Sequence, residues 1–144
     1  MKTKNYTDFT REELAEVVRF VKPPGVTGFD ISFKNCAHAY RGMAYPDGFG
    51  FHTKPRPLII VSVGKAHNFP RKGSSSKPKG GYLPAPDVYS RLEAIVYITA
   101  HELRHLWQAK HPKGWRVWGS RGQYSERDAD AYALRKLREW RKSR

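Results

Sequence analysis

Two histidines four residues apart, with a glutamate after the first, are the residues of this chain best equipped for chemistry: His101-Glu102-Leu103-Arg104-His105. On a helix, residues i and i+4 stand one above the other on a single face, so both imidazoles can reach one metal ion. Glu102 lies beside that face, where a carboxylate can take a proton from water that the ion polarises. The H-E-x-x-H pattern therefore predicts metal-assisted hydrolysis with Glu102 as general base. It requires a helix and further ligands.

The segment carries the marks of a helix. Ser90-x-x-Glu93 reads as a capping box, and Pro84 and Pro86 lie just upstream. Leu92, Ile95, Val96, Ile98, Leu103 and Leu106 make it apolar around much of its circumference, which predicts a largely buried helix. Polar groups in such a helix need partners. Pro112-Lys113-Gly114 ends it. Ser125 then reads as the N-cap of a last helix, Glu126 to about Lys142, with Asp128 completing an S-x-x-D pattern and Ala129, Ala133, Leu134, Leu137 and Trp140 on its inner face.

Zinc hydrolases usually take three protein ligands and leave a fourth position for water. Two residues compete to be the third. His111 stands six residues after His105, a spacing that resembles the metzincin peptidases, H-E-x-x-H-x-x-G-x-x-H, and is shared by WLM-type peptidases. The metzincin glycine is Gln108 here, and both methionines, Met1 and Met43, precede the motif. On a continuing helix, six residues turn about 240°, which points His111 away from the ion. The alternative is Glu126. Glu126-Arg-Asp-Ala-Asp130 downstream of H-E-x-x-H resembles the gluzincins, the thermolysin-like zinc peptidases and their compact minigluzincin-like relatives. The longer string, Glu126 to Ala133, is similar to the E-x-x-A-[ND]-x-[FY]-A segment of small repressor-cleaving peptidases of mobile elements. The resemblance spans roughly residues 88–140. It implies a zinc peptidase with His101, His105 and Glu126 as ligands, one Zn²⁺ per chain, and Asp130 accepting a hydrogen bond from a ligand histidine, most naturally His101. A second electrophile for the transition state remains open among Tyr124, Tyr132, His111 and Arg121, all near the motif in sequence.

The elements upstream must supply a frame. Thr10-Arg-Glu-Glu13 is a capping box, and Leu14, Val17, Val18 and Val21 follow at helical spacing, giving a helix over about 10–21. Phe29–Phe33 alternates, Ala39–Tyr45 is a weaker strand, and Leu58–Val63 is a continuous β-branched run suited to a central, two-sided strand. Turns are expected at Asn35-Cys36 and Asp47-Gly48. The fold class is α+β: a small sheet of three or four strands packed on the buried H-E-x-x-H helix, with a C-terminal helix bringing the third ligand. One domain, 1–144, is expected, with a flexible basic loop at 65–86 and a basic tail at 135–144. An edge strand from 28–63 could align an extended protein or peptide substrate.

Charge opens a different class. Lys and Arg number 27 against 13 Asp and Glu, a net charge of +14. Such a surface attracts polyanions, so nucleic acid is a candidate partner through the loop and tail. The alternative to a plain peptidase is thus a basic nucleic-acid-binding protein whose H-E-x-x-H helix is partly structural, or a DNA-associated protease similar to the SprT-like and WLM groups. No stretch has the length of a membrane-spanning helix or a signal peptide, and Cys36 is the only cysteine. The expectation is a cytoplasmic, reduced monomer with Cys36 a small buried residue, Trp107 in the core, Arg104 paired with a surface carboxylate, and no metal role for His38, His52 or His67.

Overall fold

A computed structural model describes residues 2–37, 40–47, 56–64, 69–70, 72–73, 83–111 and 125–144. Its elements are β1 (Thr3–Asn5), α1 (Arg11–Val21), β2 (Asp30–Cys36), β3 (Tyr40–Tyr45), β4 (Leu58–Gly64), α2 (Arg91–Lys110) and α3 (Glu126–Lys142). The fold is α+β, as the pattern predicts.

Among the described residues the strands form one mixed sheet in the order β1-β2-β4-β3. The β-branched run of β4 lies inside it, parallel to β2 and antiparallel to β3. Ile31, Phe33, Ile59, Val61 and Val63 are buried on one face, whereas Leu58 and Ile60 on the other face of β4 are only partly buried. β4 is therefore central but not the strand buried on both sides that its apolar run predicts. The antiparallel register sets Gly42 opposite Val61 and Ala44 opposite Ile59, leaving β3 as the edge strand on the side of the candidate site. β1 is not legible in its polar residues. It forms because the backbone of Lys2 and Tyr6 hydrogen-bonds to Ile31 and Phe33 on the free edge of β2. The turn expected at Asn35-Cys36 is absent: β2 runs on to Cys36, which pairs with Gly64 and is half-buried.

α1 has the full capping box, Thr10 Oγ1 accepting from the Glu13 amide and Glu13 Oε1 from the Thr10 amide, both at 3.1 Å. It buries Leu14, Val17, Val18 and Val21. α2 packs on β3, β4, α1 and α3, and every residue from Ala94 to Leu103 is buried. Ser90 and Ser125 cap α2 and α3, but neither box closes. Glu93 turns to the Tyr89 amide and to Arg141, while Asp128 turns to Arg104 and Gln108. In both cases a cation on the neighbouring helix draws the carboxylate away from the cap.

Those two diversions align the helices. Glu93 near the start of α2 meets Arg141 near the end of α3 at 2.7 Å, and Arg104 in the second half of α2 meets Asp128 in the first turn of α3 at 2.7 Å. The helices are therefore antiparallel and tied at both ends. Ala129 and Ala133, fully buried, keep the interface free of bulk. The basic residues from Arg135 to Lys142 belong to α3, and only Ser143 and Arg144 extend beyond it. Most of the expected loop at 65–86 lies outside the described residues.

Candidate metal centre

α2 presents His101 and His105 one turn apart, and the tie to α3 carries Glu126, the first residue of that helix, to both. His101 Nε2 lies 2.9 Å from Glu126 Oε2 and 3.2 Å from His105 Nε2, and His105 Nε2 lies 3.3 Å from the same carboxylate. One ligand atom from each of the three side chains falls within 4.8 Å of the others. Both histidines are buried, while Glu126 is half-buried at the rim.

The other ring nitrogens settle what the cluster offers. His101 Nδ1 donates to Asp130 Oδ1 at 2.9 Å, since a carboxylate can only accept. His105 Nδ1 lies 2.8 Å from Gln108 Oε1. The amide nitrogen of Gln108 donates to the Ser125 carbonyl and to Asp128, both at 2.9 Å, so its oxygen must be the atom facing His105. In each neutral ring the proton is on Nδ1 and Nε2 carries a lone pair. Two such lone pairs and a carboxylate, about 3 Å apart, repel unless positive charge sits among them.

Protons meet that demand in the bare chain. Burial disfavours a charged His101, but hydrogen bonds to Asp130 and Glu126 outweigh it and push its pKa up to about 10. His105 is raised in the same way, burial opposing and Glu126 prevailing. Burial raises Glu126, yet its bonds to the two histidines bring it down to about 2. The same donor set, two imidazole nitrogens and one carboxylate oxygen, is one that metal ions take in hydrolases, and the residues fit a metal ion.

Glu102 lies beside the cluster, its Oε1 3.9 Å from His101 Nε2. Burial lifts its pKa, against the pull of the two histidines. It faces a cleft of about 810 Å³ whose walls are β3 and the segment around Leu83 and Ala85. Leu83 is held there by its amide, which donates to Asp130 Oδ2 at 2.9 Å. Asp130 thus serves the histidine and the cleft wall together. Gly42 passes so close to α2 that a Cβ on it would lie 2.8 Å from Glu102 Oε1.

Several expected residues lie elsewhere. His111 caps α2, its Nδ1 2.8 Å from the Trp107 carbonyl and its ring stacked on Trp107 at 4.0 Å. Because α2 stays helical through Lys110, the rotation that predicts His111 pointing away holds. Tyr132 is not at the cleft either: its hydroxyl donates to the Val21 carbonyl at the end of α1, on another side of α3 from the cluster. Tyr124 and Arg121 lie outside the described residues, as do His38, His52 and His67. Trp107 packs partly buried against the core, as expected. Arg104 pairs with Asp128, which is buried rather than on the surface, and lies 3.7 Å over the Trp107 ring.

Four contributors escape a reading of the motif alone. Gln108 sits three residues after His105 on its buried face. Asp128 orients that amide. Tyr97, four residues before His101, lines the cleft and donates to Asp130 at 3.3 Å. Gly42 is the fourth. Helical spacing from the histidines signals Gln108 and Tyr97; nothing local signals Gly42.

No protein-family model, curated protein or solved structure matches this chain.

Proposed function

We propose that the chain is a zinc-dependent metallopeptidase of the gluzincin type, with His101, His105 and Glu126 holding the ion. The observation that carries the reading is the convergence of three lone-pair groups, two of them histidines already hydrogen-bonded from behind, next to a buried carboxylate in an open cleft. Bound there, zinc would act as a Lewis acid on water and on the substrate carbonyl. Glu102 takes the proton of the attacking water and returns it to the leaving amine. Burial raises its pKa, which makes it a stronger acceptor for the water's proton than a solvated carboxylate. β3, the last strand of the sheet among the described residues, could align an extended peptide, which would lie across Glu102.

A two-histidine, one-carboxylate set also suits non-haem iron. The glutamate beside the ligands favours hydrolysis, since proton transfer from water is what such a base supplies. Purified protein should hold about one zinc per chain and digest an unfolded protein, and Glu102→Gln should keep the zinc and lose the digestion. A wild type that carries iron, or zinc without any peptide cleavage, would remove this reading.

The net charge of +14 supports a second element, action near a polyanion such as DNA. Arg135, Arg138 and Lys142 recur at helical spacing on the exposed side of α3, away from the inner-face residues Leu137 and Trp140. If they contact phosphates, binding of a DNA duplex weakens steeply with salt, and Arg138→Ala lowers that slope by about one. Binding that is insensitive to salt, or no binding at all, argues for a basic but solvated face.

A further inference from the structure

The two ligand histidines are not backed alike. His101 is held by a carboxylate, Asp130, whereas His105 is held by an amide, Gln108. An amide is an ambiguous partner: turned one way it accepts, turned the other it donates and would demand the opposite histidine tautomer. Here the ambiguity is removed. Gln108 is completely buried, and its nitrogen faces two groups that can only accept, the Ser125 carbonyl and Asp128 Oδ2. Reversing it would set its oxygen against both of them and its N–H groups against the Nδ1 proton of His105.

Asp128 can hold this role because its charge is balanced. Arg104 donates to it twice, Nε to Oδ2 at 2.7 Å and a terminal nitrogen to Oδ1 at 3.1 Å, and the guanidinium rests on Trp107. The chain of contacts runs from Arg104 through Asp128 and Gln108 to His105, joining the two helices directly behind the second histidine.

We infer that Gln108 is the positioning residue of His105, with Asp128 and Ser125 fixing its amide so that His105 presents Nε2, and only Nε2, to the metal. This rests on the metal reading of the cluster. It gives the site two unlike histidines, one backed by an anion and one by a neutral dipole. Removing a hydrogen-bond partner behind a metal-bound histidine typically weakens metal binding 10- to 100-fold.

The test is a zinc competition titration of the full chain beside Gln108→Met, which keeps length and apolar bulk but has no carbonyl. Zinc binding about 10- to 100-fold weaker in the variant is expected, with a changed visible spectrum when cobalt replaces zinc. An unchanged affinity overturns the inference. Because Gln108 is buried and hydrogen-bonded across the two helices, the zinc-loaded wild type is read as well, by ¹⁵N–¹H spectra of its histidines. The His105 ring should carry a proton on Nδ1 and the metal on Nε2; coordination through Nδ1 overturns the inference whatever the variant does. A wild type that binds no zinc removes both this inference and the metal centre. One that binds zinc tightly but cleaves no protein removes the peptidase reading and leaves the role of Gln108 standing.

Discussion

Replacing Gly42 by alanine tests the proposed base, Glu102, separately from the proposed metal ligands. A Cβ at this position would lie 2.6 Å from Ile98 Cγ2, 2.7 Å from Glu102 Cγ and 2.8 Å from Glu102 Oε1, where ordinary contact begins at 3.4 Å. Something must yield by more than half an ångström. Two of the three nearest atoms belong to Glu102, so relief of the contact shifts the Glu102 side chain or the strand that faces it. None of the three side chains proposed to hold the metal is among the atoms nearest the new methyl. Displacing a reacting group by about 1 Å can cost about 100-fold in rate. The expectation for Gly42→Ala is therefore zinc content equal to wild type and kcat on an unfolded protein about 10- to 100-fold lower. Overpacking should also cost about 1–3 kcal/mol in stability. Zinc stoichiometry, steady-state cleavage and thermal unfolding measured together separate these effects. Full kcat with intact zinc would refute the reasoning, because edge strand β3 would then have shifted without disturbing Glu102, or Glu102 would not be the base.

Three further outcomes follow from the geometry. Glu126→Ala should abolish zinc binding and Asp130→Ala should weaken it about 10- to 100-fold, whereas His111→Ala should leave it unchanged; zinc lost on removal of His111 would reverse the ligand choice. In the bare chain His101 titrates at about 10, above its ordinary 6.5, so its pairing stabilises the fold fully below 6.5 and that contribution is lost as pH rises through 10. Zinc must displace that proton, so apparent zinc affinity should rise with pH over the same window, by as much as about tenfold per unit for each proton released; a titration series from pH 6 to 9 with no such rise would contradict the shared-proton cluster. Tyr132→Phe should cost about 1 kcal/mol in chemical unfolding, by orphaning the Val21 carbonyl, and leave kcat alone; a large loss of kcat would return Tyr132 to the site.

What could be read from residues alone was what depends on short-range spacing. The two histidines, the caps at Thr10, Ser90 and Ser125, and the β-branched run of β4 each follow a local rule, and each is found where the rule sets it. The juxtaposition of Glu126 with His101 was legible only through its position in a second capped helix, since 25 residues separate the two. The incomplete caps were not legible, because their cause is a cation on another helix: nothing near Glu93 announces Arg141. β1 was hidden for the same reason, its residues being polar and its pairing supplied by β2. Gly42 shows the limit most clearly. Its meaning lies in a side chain 60 residues away, and a glycine in a strand looks the same with or without it.

The double tie between α2 and α3 has a consequence for how this site could vary. The three groups that could hold a metal, the two residues hydrogen-bonded behind the histidines, and Glu102 are all carried by two antiparallel rods pinned near each end by Glu93–Arg141 and Arg104–Asp128. The sheet contributes a wall to the cleft but none of those groups. The helix pair is in this sense a cartridge: two ion pairs and two buried alanines set its register from within the pair, without a side chain from the sheet. Changes to wall residues that touch neither Glu102 nor Asp130 can retune what enters, whereas Gly42 and Leu83, which do, link the wall to the groups below.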